Sequence, residues 1–214
     1  MKPLAIDLFC GLGGWSEGLL AEGWDVIGFD IERHVYGDLR YPAQLVLQDV
    51  LTLHGRQFRD AALIVASPPC QEYSYMAMPW SRAKAIEQDY LAGRRDRAKL
   101  TALFDACFRL QREASEAAGR HIPLVVENVR GAQKWVGRSR WNYGSFHLWG
   151  DVPPLMPAAT VRDRGIKNSR NWWSDGAGNL SATTSSKSPA RRKASAMIAK
   201  IPLALSRHIA RTYA

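Results

Sequence analysis

Leu4-Ala-Ile-Asp-Leu-Phe-Cys-Gly-Leu-Gly-Gly-Trp15 opens the chain with an apolar run that breaks into three glycines. Leu4–Phe9 reads as a buried strand, and Trp15–Ala21, closed near Gly23, as the helix after it. Glycines between a strand and a helix let the backbone turn sharply and approach another molecule closely, and the helix N-terminus favours anionic groups. A strand–turn–helix unit of this kind begins a doubly wound sheet if the pattern recurs. It does. Asp25–Ile31 reads as a second strand ending in Asp30 and Glu32, and Gln44–Val50 as a third ending around Asp49. Ala62–Ser67 is a fourth, stopped by Pro68-Pro69 because proline cannot continue a ladder.

A long helix is predicted over Asp96–Ala118, where Leu100, Leu103, Phe104, Cys107, Leu110 and Ala114 recur at three- and four-residue spacing. Gly119 closes it, and Pro123–Val129 follows as a fifth strand. Gly144–Gly150 reads as a further strand, and Ala190–Tyr213 as helix on each side of Pro202. The expected fold is α/β, a doubly wound, mostly parallel sheet. In such sheets ligands sit beyond the carboxyl ends of the strands. Gly11, Asp30, Asp49, Cys70 and Glu127 all fall at those ends.

The 214 residues suffice for one domain with a sizeable core. No apolar run approaches the roughly 20 residues needed to span a bilayer, and Met1–Phe9 reads as a strand and not as a signal peptide. Three widely spaced cysteines, Cys10, Cys70 and Cys107, suggest neither a disulfide framework nor a metal site, so a cytoplasmic, reducing setting is expected. The net charge of +9 is unevenly placed. Residues 1–79 carry −5, residues 80–159 carry +5 and residues 160–214 carry +9. A basic rear suits a polyanion, though a solvated basic surface accounts for it equally well. Three segments are expected: a catalytic and cofactor-binding domain over 1–149, a loop-rich basic stretch over 150–187, and a helical segment over 188–214 that packs back on the first.

Ser67-Pro-Pro-Cys-Gln-Glu-Tyr-Ser74 carries the chemistry. Cysteines are mostly inert core residues, and Cys107 and Cys10 read that way. Cys70, directly after two prolines, sits on a stiff corner at the mouth of the sheet, where nearby positive charge or a helix dipole can activate a thiol. Val125-Val-Glu-Asn-Val129 brings Glu127 and Asn128 to the end of the next strand. They would share the crevice with Cys70 if the two strands are neighbours. The glycine turn alone fits NAD, FAD, S-adenosylmethionine or a plain tight turn. Asp30 is placed either to hold ribose hydroxyls or to cap a helix.

Taken together, 7–14, 69–71 and 127–129 resemble the ordered motifs of the DNA cytosine-5 methyltransferase family: Asp-Leu-Phe-x-Gly-x-Gly-Gly, Pro-Cys-Gln and Glu-Asn-Val. Arg138-Ser-Arg140 resembles a fourth, Gln-x-Arg-x-Arg, with Val136 in place of its glutamine. Ser188-Pro189 and the segment from Ile201 to Ala210 resemble the last two, without the usual Gly-Asn-Ser. The resemblance implies Cys70 as nucleophile at cytosine C6, Glu127 on the base edge, Arg138 or Arg140 on the base carbonyl, Asn128 fixing the loop that carries Cys70, and Gln71 as a further catalytic residue. It implies S-adenosyl-L-methionine held by Asp7, Phe9, Gly11, Leu12, Gly13, Gly14, Asp30, Ile31, Asp49, Val50 and Pro69, and no metal.

The family's target-recognition domain has only 150–187 in its place, with Arg162, Arg164, Lys167, Arg170 and Trp172-Trp173 for phosphate contact and base stacking, or with the tryptophans capping the core. The partner implied is DNA, single-stranded or a duplex with its cytosine flipped out. A short or degenerate recognition site, or a specificity partner, and a monomer are expected. Residues 71–99 read as a lid over the substrate. RNA or a free cytosine nucleotide is the alternative acceptor. A non-catalytic nucleic-acid binder is the alternative class, and a nicotinamide dehydrogenase would leave Pro-Pro-Cys-Gln without a task.

Overall fold

The computed structural model describes residues 2–69, 80–158 and 188–214. Nine strands and six α-helices are described: β1 Leu4–Leu8, α1 Gly14–Ala21, β2 Asp25–Asp30, β3 Val35–Tyr36, β4 Leu39–Arg40, β5 Gln44–Leu47, β6 Leu63–Ala66, α2 Trp80–Leu91, α3 Arg97–Ala118, β7 Leu124–Asn128, α4 Gln133–Val136, β8 Trp141–Tyr143, β9 Phe146–Gly150, α5 Pro189–Ala199 and α6 Leu203–Tyr213. Seven strands form one sheet in the order β5-β2-β1-β6-β7-β9-β8, and β3 and β4 pair separately as a hairpin. From β5 across to β7 every pairing is parallel; β9 runs against β7 and β8.

Alternation along the central strands divides the core. Ile6, Leu8, Ile64, Ala66, Leu124 and Val126 pack with Leu100, Phe104, Cys107 and Leu110 of α3 on one face. Ala5, Leu63, Val65 and Val125 pack on the other with Trp15 and Leu19 of α1 and Leu205 and Ile209 of α6. β6 and β7 are buried along their whole length, as strands covered on both faces must be. Helix α3 starts where the Asp96 carboxylate accepts the Ala98 N–H at 2.9 Å and ends at Gly119 in the left-handed conformation.

Helix α6 closes on α1 through a groove of small residues. A Cβ on Gly14 would lie 2.4 Å from the Ile201 nitrogen, and one on Gly18 would lie 2.2 Å from the Ser206 hydroxyl. Lys200 then pairs with Glu17, and Arg207 and Arg211 both pair with Glu22. Three of the basic residues of 160–214 are therefore engaged in holding the C-terminal helix, which leaves less of the +9 to meet a polyanion.

Several elements differ from the sequence expectation. The β3–β4 hairpin and β8 are too short to show a period. The third strand ends at Leu47, not Val50, because Asp49 turns the chain into a 3-10 helix by accepting the Leu51 N–H at 2.9 Å. Within the stretch read as a lid, α2 is a regular helix whose Glu87 pairs with Lys134 of α4.

Candidate active site

The chain leaves β1 for β2 on one side and returns through β6 on the other, so the direction of winding switches between β1 and β6. That is where an open α/β sheet forms its crevice. The glycine turn ends β1, Ser67-Pro68-Pro69 ends β6, and Glu127-Asn128 ends β7, on three adjacent strands. The condition left open by the sequence, that the strands bearing Cys70 and Glu127 be neighbours, is met.

The turn after β1 is strained. Phe9 has φ 56°, and among the described residues it is the one non-glycine with a left-handed backbone. Such a residue costs about 1–3 kcal/mol and persists only where its surroundings over-determine it. Here Cys10 N–H bonds the Phe29 carbonyl at 3.1 Å and Gly13 N–H bonds the Cys10 carbonyl at 2.7 Å. Gly11, at φ 50°, faces open space: a Cβ there would meet nothing within 4 Å. Gly13 instead fits under Pro42, and Gly14 under Ile201.

Beneath the turn lies a buried polar cluster. Ser16 Oγ donates to Asp7 Oδ2 at 2.6 Å and stands 2.7 Å from the Tyr41 hydroxyl. Burial pushes the Asp7 carboxyl up to about 8, so it is neutral near pH 7, and its Oδ1 has no partner. Burial likewise raises the Cys10 thiol and the Tyr41 hydroxyl. Tyr41 reaches this place because Gly28 of β2 has no side chain: a Cβ would lie 2.3 Å from the tyrosine ring. A glycine inside a strand is the one sequence sign of such an approach.

At the end of β2, Asp30 accepts the Gly11 N–H at 2.9 Å and the Glu32 N–H at 3.3 Å. Burial opposes its ionisation, but His34 at 3.8 Å and the two N–H donors hold the carboxyl below the usual range. A carboxylate with two bonds retains lone pairs for two hydroxyls. Ile31 beside it is 74% exposed, Asp49 caps its turn, Val50 is buried in the α3-side core, and Leu12 is buried. An open glycine turn, an ionised carboxylate with spare acceptors and an exposed apolar side chain fit a nucleoside cofactor.

The corner after β6 is tied from both flanks. Trp15 Nε1 donates to Ser67 Oγ at 3.0 Å, and Asn128 Nδ2 donates to the Pro68 carbonyl at 3.0 Å. Asn128 Oδ1 accepts the Val129 N–H at 2.8 Å, so the amide bridges the two strand ends. Pro68 is buried and Pro69 exposed. Cys70 and Gln71 lie outside the described residues, as do Arg162, Arg164, Lys167, Arg170, Trp172 and Trp173.

Glu127 is buried, in register with Leu148. Arg138 and Arg140 are exposed, and Arg140 enters the sheet by donating its N–H to the Leu148 carbonyl, two strands away from Glu127 on the outer edge. The β9 residue that faces Asn128 is His147. Sequence reading passed over His147, since a lone histidine in a strand carries no pattern.

Residues 4–90 match the model of the C-5 cytosine-specific DNA methylases. The match takes in the glycine turn and Pro69-Cys70-Gln71 and stops short of Glu127. Similar solved structures include a protein described as a DNA modification methyltransferase encoded within an E. coli prophage, at 24% identity and TM-score 0.41, covering 64% of this chain and 35% of that one. The S. pombe Dnmt2 methyltransferase matches at 16% identity and TM-score 0.40, covering 64% and 37%. The Entamoeba histolytica methyltransferase EhMeth matches at 16% identity and TM-score 0.45, covering 74% and 57%. The chain thus spans about a third of the prophage protein it matches. No curated protein matches it. No helix among the described residues is long and apolar enough to cross a membrane.

Proposed function

We propose that the protein transfers a methyl group from S-adenosylmethionine to C5 of cytosine in DNA. The observation that carries this reading is the adjacency of three strand ends: the open glycine turn, the corner that leads into Cys70, and Glu127-Asn128, with Asn128 bonded to the Pro68 carbonyl. When bound, S-adenosylmethionine supplies an electrophilic methyl group. Gly11 would give it close approach to the backbone, Asp30 would accept from its ribose and Ile31 would cover its base.

The chain's own residues prepare the acceptor. Cytosine C5 is a poor nucleophile until a thiolate adds at C6, and Cys70 makes that addition. Glu127 hydrogen-bonds the base edge at N3 and N4 and stabilises charge as it develops there. Asn128 fixes the root of the loop on which the thiol is carried, so that its approach to C6 is set in advance. A stacked base cannot enter a crevice at strand ends, so the cytosine is flipped out or single-stranded.

A panel of acceptors tests the reading: duplex DNA, single-stranded DNA, RNA and dCTP, each offered with methyl-labelled cofactor. Label on DNA as 5-methylcytosine is the expected result. Label on RNA or dCTP alone would move the same chemistry to that acceptor, and label on none would leave a nucleic-acid binder.

A further inference from the structure

Trp141 opens β8, the outermost strand of the sheet, and strand register fixes the face it takes. Trp141 pairs with Leu148 of β9, and Leu148 pairs with Glu127 of β7. Residues directly opposite one another leave the same face of a sheet, so Glu127, Leu148 and Trp141 form one row across three strands. Core packing agrees: Val125, Leu148 and Tyr143, which share this face, all join the cluster of α1 and α6. Two strand spacings set the Cα atoms of Trp141 and Glu127 roughly 10 Å apart.

The row changes character along its length. Glu127 and Leu148 are buried, as is Tyr143 two residues on, whereas Trp141 is 41% exposed. A lone exposed tryptophan elsewhere on a surface would be ordinary. This one stands level with the end of β7, beside the carboxylate proposed to hold the base edge. The strand is also irregular there. The Arg140 N–H donates to the Leu148 carbonyl at 2.8 Å, although the register partner of Leu148 is Trp141. Two residues opposite one make a β-bulge, which at a sheet edge re-aims side chains beside a site. Arg138 and Arg140 are exposed, and among the described residues neither enters an ion pair. By contrast Arg94 and Arg95 pair with Asp89, and Lys134 with Glu87. An indole bordered by two unpaired guanidinium groups is complementary to a nucleic-acid strand, since the ring stacks on any base and the cations attract phosphates.

We propose that Trp141 is a stacking residue for the DNA strand and takes the face of a base that neighbours the target cytosine. The proposal rests on the methyltransferase reading above. Stacking at this place offsets part of the base stacking lost when the cytosine leaves the helix. It needs no particular base, so Trp141 contributes affinity and holds the strand in line with Glu127 without reading sequence.

Fluorescence anisotropy with a labelled oligonucleotide tests this. Its sequence is copied from a plasmid position that the wild type methylates, in whichever form, single-stranded or duplex, takes up methyl, and S-adenosylhomocysteine is present throughout. Trp141→Ala should weaken DNA binding by about 10-fold, within the range that stacking of a base on an aromatic ring contributes. Trp141→Phe, which keeps a ring, should lose less than Trp141→Leu, which keeps only apolar bulk. Abasic sites placed in turn at the nucleotides flanking the cytosine locate the stacked base. At one of them the wild type should lose affinity and Trp141→Ala should lose nothing more. Affinity for S-adenosylhomocysteine, read by calorimetry, should be the same in every variant. DNA affinity equal to wild type in folded Trp141→Ala would overturn the proposal, as would a penalty that persists unchanged at every abasic position. Joint loss of DNA and S-adenosylhomocysteine affinity would reduce Trp141 to a structural residue and overturn it too. Absence of methyl uptake on any DNA by the wild type would instead refute the methyltransferase reading itself.

Discussion

The turn after β1 and the corner after β6 lie side by side on the two central strands, yet they are held in opposite ways. The turn is braced from within: a left-handed Phe9, two short backbone bonds and the buried Asp7–Ser16–Tyr41 cluster beneath it. The corner is braced from outside, by one indole N–H from α1 and one amide from β7. The first arrangement makes a fixed seat for a ligand. The second fixes the root from which the Cys70 segment departs. In the proposed function these are different tasks, since a cofactor needs a constant pocket whereas a nucleophile must meet a base brought in from a polymer.

Asn128→Ala should break this comparison most severely. It strands the buried Pro68 carbonyl and the Val129 N–H together, each worth about 1–3 kcal/mol when left unpaired. Methyl transfer should fall by at least 10-fold while cofactor affinity, read by calorimetry, stays near wild type. A matching loss of cofactor affinity would mean that the two loops are one mechanical unit. Asp30→Ala should show the reverse: cofactor binding weaker by about 1–3 kcal/mol, with the melting temperature changed less than by Asn128→Ala. Unchanged affinity would reduce Asp30 to a brace for Gly11.

Asp7 offers a pH test of the buried cluster. Its folded carboxyl titrates near 8, above the unfolded value of about 3.9. Between these values the folded chain binds the extra proton, so stability falls as pH rises from about 4 to 8. Asp7→Asn removes that proton from the balance, and its unfolding free energy should decline less over this range than that of wild type. Parallel curves for the two proteins would show that Asp7 is ionised in the fold. The smallest effect is expected at the C-terminal helix. Glu22→Gln weakens its pairs with Arg207 and Arg211, which are exposed enough for water and salt to screen them, and urea denaturation should detect little change.

The same contrast explains what could be read in the sequence. The turn was visible because glycines, an apolar run and a following helix are consecutive, and the strand-end positions of Asp30 and Glu127 followed from counting strands. Gly119 marked the end of α3 by its capping chemistry, whereas Asp96, read as the first residue of the helix, is its N-cap. The bracing was not visible. Ser16 and Tyr41 are 25 residues apart, and only Gly28 hints that a ring lies against β2. Asn128 could be suspected of supporting the catalytic loop, but the atom it bonds, the Pro68 carbonyl, exists as a target only once β6 and β7 are paired. Arg138 and Arg140 stood out by charge and motif, whereas His147 faces Asn128 through strand register, which no local pattern encodes. Gly14 read as part of a ligand turn, and its fit against Ile201 depends on the link between α5 and α6, nearly 190 residues away.

Cys70 is the residue on which the proposed function turns, and bisulfite sequencing of plasmid DNA from cells expressing the protein tests it most directly. Wild type should leave cytosines protected from conversion, and Cys70→Ser, expressed to the same level and with cofactor affinity retained, should leave none. Equal protection by the serine variant, or no protection by wild type, would contradict the account.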